Sequence, residues 1–377
     1  MRSSSPATPG RAATVPPEPG SGARRARWLE AGPLAPFDLH AFYHGLGYAM
    51  GPEDAPILAW ARADRPHISL GPHQDAAEEL SLDASGRAGG MEVVRRETGG
   101  GTVYVDGDQW VYAFLVPRTW LRGRPVDLYG HLLPAVEATF ARFGLSVSRR
   151  SRNDLWCGNR KIGGTGMATL GNALVLVGSF MLRFPAARFA AAVNSPSPAY
   201  RRFLAAALAE AVRGWDAFGK PPRAAPLKGA FRQAAARSLG WVVSPDRCST
   251  EEVGAIREAR HELRDPEWRW EPLGHRAVRE GIKLKGDAFL TERAIPTLGR
   301  ITVQTEGGRI RRLDLAGIDP ARTAACTGLP LHAGLLAARL GGGEVGRRWA
   351  EAVVATAVQD DHAGATGHVA DPADTRG

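Results

Sequence analysis

Three consecutive glycines, Gly99, Gly100 and Gly101, lie between two apolar segments that we predict to be β-strands. A plain hairpin needs only two turn residues, and each further glycine costs up to about 1 kcal/mol of backbone entropy relative to alanine. What glycine offers instead is close approach of backbone N–H groups to a ligand. Arg95 and Arg96 precede the loop, and one of them can face the same pocket because successive side chains of a strand alternate. Backbone donors beside a guanidinium favour a phosphate or carboxylate site.

Two common nucleotide-binding patterns do not describe this loop. The sequence GxxxxGK[ST] is absent, and no GxGxxG opens a predicted helix. For the loop considered alone, a glycine-rich hairpin packed beneath a neighbouring segment remains the alternative to a ligand site.

A second motif, NDLWCGNRKIGGT, spans residues 153–165 and contains one of only five lysines in a chain with 48 Lys and Arg residues. Lys161 lies between a tight turn and apolar Ile162. A compact ammonium can bridge a carboxylate oxygen and an α-phosphate, and it can stabilise the charge that develops when a carboxylate attacks ATP. A solvated strand residue beside Arg160 is the alternative for this lysine alone.

Apolar periodicity and turn residues predict the order of the elements. Two Gly-Asn pairs, Gly158-Asn159 and Gly171-Asn172, suit two-residue hairpin turns. Ser249 and Glu252 match a capping box at a helix start. The predicted helices are 37–50, an exposed 75–86, 129–143, 200–216, 228–239, 249–260 and 331–340. The predicted strands are 57–60, 67–70, 91–96, 103–106, 110–116, 154–157, 160–165, 173–182, 301–305 and 309–315.

Composition excludes several classes of protein. The chain has 377 residues, of which 44% are hydrophobic and 23% charged, which excludes disorder over the whole length. Its three cysteines form no CxxC pair, so neither a disulfide scaffold nor a zinc site is expected, and a reducing cytoplasm fits. No apolar run approaches the roughly 18–20 residues that span a bilayer. The net charge of +9 is scattered rather than gathered on a basic face, so we expect no nucleic-acid partner and no membrane partner.

Together, the motifs resemble the biotin/lipoate protein ligase family. The two-arginine, triple-glycine form is similar to the lipoate–protein ligases within that family. The resemblance covers roughly residues 30–355. The segments that carry it are RRETGGGTVYVD at 95–106, NDL at 153–155, KIGGT at 161–165, GPHQ at 71–74 and the stretch 249–268.

The resemblance implies an α+β fold, in which a mixed or antiparallel sheet flanked by helices forms the catalytic domain and a small α+β accessory domain follows. The implied domains are a disordered tail at 1–27, a catalytic domain at 28–270, an accessory domain at 271–358 and a disordered tail at 359–377. Val94, Val103 and the strand 110–116 would line an acyl tunnel.

The implied activity is a two-step, ATP-dependent ligation. Lipoate or an octanoate-like acid reacts with ATP and Mg²⁺ to give an acyl adenylate, and the acyl group passes to a lysine of a lipoyl-carrier domain. By resemblance, Lys161 is catalytic and no residue is a metal ligand. The implied substrate- and adenylate-binding residues are Arg96, Gly99, Gly100, Gly101, Val103, Tyr104, Asp106, Asn153, Asp154, Gly163, Gly164, Thr165 and Ser179.

The sequence departs from the family pattern at three positions. Val105 and Val177 stand where the family usually has histidine, and Gly163 stands where it usually has serine. Three alternatives therefore stay open: an octanoyl or lipoyl transferase of the same fold, which would use a cysteine thiolate, a biotin–protein ligase, and a non-catalytic relative that binds the lipoyl adenylate.

Overall fold

The computed structural model describes residues 24–120, 124–150, 153–272, 281–285 and 287–357. Its strands are β1 (Arg24–Leu34), β2 (Ile57–Ala63), β3 (His67–Leu70), β4 (Glu92–Arg95), β5 (Val103–Val105), β6 (Gln109–Pro117), β7 (Val147–Arg150), β8 (Asp154–Cys157), β9 (Arg160–Leu170), β10 (Ala173–Met181), β11 (Trp241–Pro245), β12 (Gly281–Lys285), β13 (Ala288–Ile295), β14 (Gly299–Glu306) and β15 (Arg309–Leu315). Its α-helices are α1 (Pro36–Ala49), α2 (Ala76–Glu79), α3 (Leu128–Ala141), α4 (Ala186–Ala192), α5 (Pro198–Ala211), α6 (Ala224–Leu239), α7 (Thr250–Arg264), α8 (Pro266–Trp270), α9 (Pro320–Ala324), α10 (Ala333–Arg339) and α11 (Gly343–Ala357).

An eight-stranded mixed sheet forms the centre of the larger unit, in the order β11-β1-β2-β6-β10-β9-β8-β7. Strand β1 pairs in parallel with β11 and β2, and the other neighbours are antiparallel. Strand β6 is apolar along its length because both of its faces are covered. Tyr112 and Phe114 belong to the cluster that includes α3 and α6, whereas Ala113 and Leu115 belong to the cluster that includes α1.

A second sheet of three strands, β4-β3-β5, carries the glycine loop. Strand β3 pairs in parallel with β4 and antiparallel with β5, so the loop between β4 and β5 connects the two edge strands across the end of β3. This small sheet therefore fixes both ends of the glycine loop.

The C-terminal unit is a four-stranded antiparallel sheet, β12-β13-β14-β15, whose own core includes residues of α10 and α11. It packs on α5 of the larger unit. Leu284 and Leu290 of its sheet share one buried cluster with Tyr200, Leu204 and Leu208 of α5. The two units are therefore joined by a continuous hydrophobic interface.

The structure confirms the predicted mixed α+β class and most of the predicted elements. Both Gly-Asn turns join antiparallel strands, and the capping box is present, with Ser249 Oγ accepting from the backbone N–H of Glu252. The predicted helix 75–86 was wrong beyond Glu79. Leu80 is buried and pairs with Val193 in an extended conformation, so tertiary contact outweighs local helix propensity.

The N-terminal boundary also differs from the prediction. Strand β1 begins at Arg24, four residues before the expected start of order, because residues 24–28 pair with β11. The predicted tails, 1–27 and 359–377, lie outside the described residues except for residues 24–27, which belong to β1. Among the helices that the structure describes, none is long and apolar enough to cross a membrane.

Candidate functional site

The glycine loop is held by two close backbone contacts. A Cβ atom added to Gly71 would lie 1.9 Å from the carbonyl oxygen of Gly100, and one added to Gly166 would lie 2.4 Å from that of Gly99. The N–H of Gly99 donates to the carbonyl of Met167 at 3.0 Å. Glycine is therefore required at Gly71 and Gly166, which pack against the loop, and at Gly100, whose φ of 107° favours glycine.

Arg96 stabilises the same loop through hydrogen bonds from its side chain. Its buried guanidinium donates from Nη2 to the carbonyls of Gly99 (3.2 Å) and Gly101 (2.8 Å), and from Nη1 to the carbonyl of Ser69 (3.0 Å). Burial lowers the pKa of this arginine from its usual value. Since these donors are already engaged with backbone carbonyls, Arg96 shapes the loop in this structure.

Arg95 points to the other face of β4, as strand alternation predicts. Its guanidinium donates to the carbonyls of Pro72 (3.1 Å), Arg269 (3.3 Å) and Glu271 (3.1 Å), and it lies 5.8 Å from the ring centroid of Trp268. Arg95 therefore fastens the end of the larger unit to the glycine-loop sheet.

Lys161 forms an ion pair with Asp154. The Nζ atom lies 2.7 Å from Asp154 Oδ1, and both side chains are partly exposed. Lys161 sits in β9, where its carbonyl accepts from the N–H of Arg213 at 2.9 Å. Asn153 and Thr165 are locked together next to the pair, with Asn153 Nδ2 donating to the Thr165 carbonyl and Thr165 Oγ1 to the Asn153 carbonyl, both at 3.1 Å.

These groups surround one cavity of about 490 Å³. It brings together every predicted site residue except one: Lys161, Arg96, Gly99, Gly100, Gly101, Val103, Tyr104, Asn153, Asp154, Gly163, Gly164, Thr165 and Ser179.

Asp106 is the exception. It does not line the cavity, and its Oδ1 accepts from the N–H of Asp108 at 2.9 Å in the turn after β5. Val94 was also placed wrongly in the expected acyl tunnel. It packs with Phe37, Ala41 and Leu263 on the far side of β4.

Two apolar walls of the cavity belong to different hydrophobic clusters. We call the first the aliphatic wall and define it as Leu39, Tyr43, Val105, Val111 and Val177. We call the second the aromatic wall and define it as Phe184, Phe189, Leu208, Val212, Ile282 and Leu284.

Sequence reasoning missed a chain of buried polar groups at the aliphatic wall. His40 Nδ1 lies 2.7 Å from the Tyr43 hydroxyl, and His40 Nε2 lies 3.1 Å from His67 Nε2. His67 Nδ1 faces the carbonyl of Arg65 at 3.5 Å. Because a carbonyl only accepts, His67 donates from Nδ1, His40 donates from Nε2 to His67, and Tyr43 donates to His40.

Burial keeps the hydrogen-bonded side chains of Tyr43, His40 and His67 uncharged. It lowers the pKa of His67 to about 4 and that of His40 well below its usual value, and it raises the pKa of Tyr43 to about 12. Nothing in the spacing of two histidines 27 residues apart signals such a contact, which depends on α1 packing against β3.

Neither a cysteine nor a metal cluster is found at the cavity in the described part of the chain. None of the described lining residues is a cysteine, and burial raises the pKa of all three thiols. The described residues also hold no group of three or more His, Cys, Asp or Glu side chains that could bind a metal.

Comparison with known proteins shows what the larger unit is similar to. Residues 41–213 match the family described as lipoyl protein ligase A/B catalytic domain. Octanoyltransferase LipM of Symbiobacterium thermophilum is 26% identical over 236 residues, which cover 56% of this chain and 83% of that protein. Lipoate–protein ligase 2 of Staphylococcus aureus is 32% identical over 110 residues, which cover 29% of this chain and only 31% of that protein.

Solved structures share the fold at low sequence identity. A bipartite lipoate protein ligase from Thermoplasma acidophilum, analysed together with its E2 lipoyl domain, matches with a TM-score of 0.60 and 21% identity, over 66% of this chain and 97% of that chain. LipL1 of P. falciparum, in complex with lipoate, matches with a TM-score of 0.52 and 13% identity, over 88% of this chain and 98% of that chain. With the site geometry described above, residues 41–213 are similar to the lipoyl protein ligase A/B catalytic domain, and the solved structures share the fold.

Proposed function

We propose that the chain is an ATP-dependent lipoate–protein ligase. The observation that carries this proposal is the Lys161–Asp154 ion pair beside the glycine loop, in a cavity whose described lining contains no thiol nucleophile. A ligase needs a cation where a carboxylate meets an α-phosphate, and it needs no covalent acyl–enzyme residue. The proposed acids are lipoate and octanoate-like chains.

In the first proposed step, a carboxylate oxygen of the acid attacks the α-phosphorus of ATP and pyrophosphate leaves. Lys161 stabilises the negative charge that develops on the oxygens between the two substrates. Asp154 holds the ammonium in place at 2.7 Å before they arrive. Mg²⁺ would enter bound to the phosphates of the nucleotide substrate and would neutralise part of their charge.

In the second proposed step, the amine of a carrier-domain lysine attacks the acyl carbonyl and AMP leaves. The proposed partner is a lipoyl-carrier domain. Gly99 to Gly101 and the mutually hydrogen-bonded pair Asn153 and Thr165 line the part of the cavity in which the mixed anhydride would lie. The aliphatic wall would take the acyl chain, because its side chains are uncharged and His40, which also lines the cavity, stays neutral together with His67.

The arrangement of units is part of the same proposal. We propose a catalytic domain that ends near residue 270 and begins at Arg24 rather than at residue 28, followed by an accessory domain at 271–358. A cytoplasmic location, where ATP and reduced thiols are available, is the proposed setting.

The test is exchange of radiolabelled pyrophosphate into ATP with lipoate, octanoate or biotin as the acid. Exchange that depends on lipoate or octanoate is expected. Absence of exchange with either acid would contradict adenylation, and exchange with biotin alone would indicate a biotin–protein ligase.

An octanoyltransferase is the second candidate, because the LipM match covers 83% of that relative. This candidate predicts octanoyl transfer from one carrier protein to another without ATP, and loss of the transfer after alkylation of a cysteine. The ligase proposal predicts that alkylation leaves the exchange intact, since none of the described lining residues is a cysteine.

A further inference from the structure

The aromatic wall is built by two units of the fold. Phe184 and Phe189 come from the segment around the start of α4, and Leu208 and Val212 come from the end of α5. Ile282 and Leu284 come from β12 of the C-terminal sheet. The cavity is therefore incomplete without the C-terminal unit.

The chemistry of this wall differs from that of the aliphatic wall. Its two phenyl rings pack edge to face, with centroids 6.1 Å apart at an interplanar angle of 71°. None of its six side chains is charged or carries a hydrogen-bonding group. A wall of aromatic rings and branched aliphatic side chains binds a flat, uncharged heteroaromatic group better than it binds a flexible saturated chain.

The aromatic wall also adjoins the reactive lysine. Val212 forms a parallel bridge with Lys161, and the N–H of the next residue, Arg213, donates to the Lys161 carbonyl at 2.9 Å. A nucleotide with its α-phosphate at Lys161 can therefore extend its base along this wall, while the acyl chain occupies the other wall.

The C-terminal unit is fixed in this position by polar contacts as well as by its apolar interface. The buried carboxylate of Glu292 in β13 accepts from Ser197 Oγ, the residue that caps α5, at 2.6 Å. Arg312 of β15 pairs with Glu210 of α5. These contacts hold β12 against the cavity, with Leu284 buried.

We propose that Ile282 and Leu284 are ligand-binding residues that close the aromatic wall over the planar base of the nucleotide. This inference rests on the proposed adenylation activity, and it assigns to the C-terminal unit a part in nucleotide recognition. It follows that base binding and docking of the C-terminal unit are thermodynamically linked, so each favours the other.

The test compares Leu284→Ala with Leu290→Ala. Both leucines are buried in the same interdomain cluster, but only Leu284 lines the cavity. The binding of a non-hydrolysable octanoyl-adenylate analogue and of octanoate alone is measured by calorimetry. Leu284→Ala should weaken analogue binding about tenfold and leave octanoate binding unchanged, because the truncation removes apolar contact with the base only. Leu290→Ala should lower the Tm and weaken analogue binding by less than Leu284→Ala does, because it loosens the docked unit without removing a contact to the base.

Two results would overturn the inference alone: unchanged analogue binding in Leu284→Ala, or equal weakening in both variants. A failure of the proposed function is a different result, in which the wild-type protein itself does not bind the analogue. A larger loss of octanoate affinity than of analogue affinity in Leu284→Ala would assign the aromatic wall to the acyl chain and also overturn the inference.

Discussion

At the scale of a residue, the site beside Asp154 fits the side chain of lysine better than that of arginine. The chain uses arginine for nearly all of its positive charges, yet a lysine stands in the cavity. Its single-point ammonium fits beside Asp154 Oδ1 at 2.7 Å, where a planar guanidinium would need more space and a different set of acceptors.

Replacing Lys161 with alanine should reduce acid-dependent pyrophosphate exchange by about 10²- to 10³-fold, the typical cost of losing a preorganised group that stabilises developing charge. Lys161→Arg keeps the positive charge and should remain strongly impaired. Near-wild-type exchange in Lys161→Arg would mean that charge alone suffices. Thermal unfolding of both variants serves as the control for folding.

His44 is a buried histidine whose two ring nitrogens have no hydrogen-bond partner among the described residues. Burial, with a smaller contribution from the nearby charge of Arg96, lowers its pKa from 6.5 to about 3. Between these two pH values the unfolded chain binds more protons than the folded chain. The free energy of unfolding therefore falls as the pH drops below about 6.5.

The variant His44→Phe should make the free energy of unfolding less dependent on pH. The slope should fall by the contribution of one proton, which is about 1.4 kcal/mol per pH unit. Urea denaturation at pH 7, 6 and 5 measures the slope. His67, with its pKa lowered to about 4, continues to contribute, so the slope should become smaller without vanishing. Parallel slopes for the variant and the wild type would show that His44 does not titrate in this way.

At the scale of elements, the glycine loop depends on a segment that lies far from it in the sequence. Gly71 follows β3, and its Cα packs against the Gly100 carbonyl. The loop can therefore form only when three separate chain segments meet without side chains between them.

The variant Gly71→Ala should push the loop out of place, lower the free energy of unfolding by roughly 1–3 kcal/mol and reduce exchange at least tenfold. Gly32→Ala is the matched control, since no atom lies within 4 Å of its added Cβ. Chemical denaturation and the exchange assay measure both effects. Equal behaviour of the two variants would contradict the steric argument.

Elements with a local signal were predictable from the sequence. The two Gly-Asn hairpins and the capping box at Ser249 depend on residues a few positions apart, and all three are present. The edge strand β11 was missed because Trp241–Pro245 is short and only Trp241 is buried, and its partner β1 lies far away along the chain.

The candidate site divides in the same way. The motifs indicated most of the cavity, because catalytic chemistry needs particular residue types in short spacings. The His40–His67 contact and the part of the wall supplied by β12 could not be predicted, since each arises from packing between distant segments. The placement of Asp106 failed because the strand turns away before that residue reaches the cavity.

At the scale of the whole molecule, a buried carboxylate joins the two units. Glu292 accepts from Ser197 and from Thr302 Oγ1 (2.5 Å), and its Oε1 lies 3.2 Å from Arg300 Nε. A buried charge with this many partners destabilises the structure when one partner is lost, whereas an exposed ion pair contributes little.

The variant Glu292→Gln should lower the free energy of unfolding by about 1–3 kcal/mol and speed hydrogen exchange in α5, because the docked sheet is held less firmly. Glu306→Gln in β14 removes a more exposed carboxylate, paired with Arg311 at 2.8 Å, and should change stability by less than about 1 kcal/mol. If the backbone amides of α5 exchange hydrogen at the same rate in both variants, Glu292 does not hold the units together.

The parallel pairing of β1 with β11 has a consequence for biosynthesis. Arg24 pairs with Trp241, about 215 residues later in the chain. At typical translation rates of about 5–20 residues per second, the ribosome needs on the order of ten to forty seconds to make the partner strand. During that interval β1, with Trp28 and Leu29, can pair with β2 but lacks its outer neighbour, so the nascent chain carries a strand with one unpaired edge that chaperones would have reason to shield.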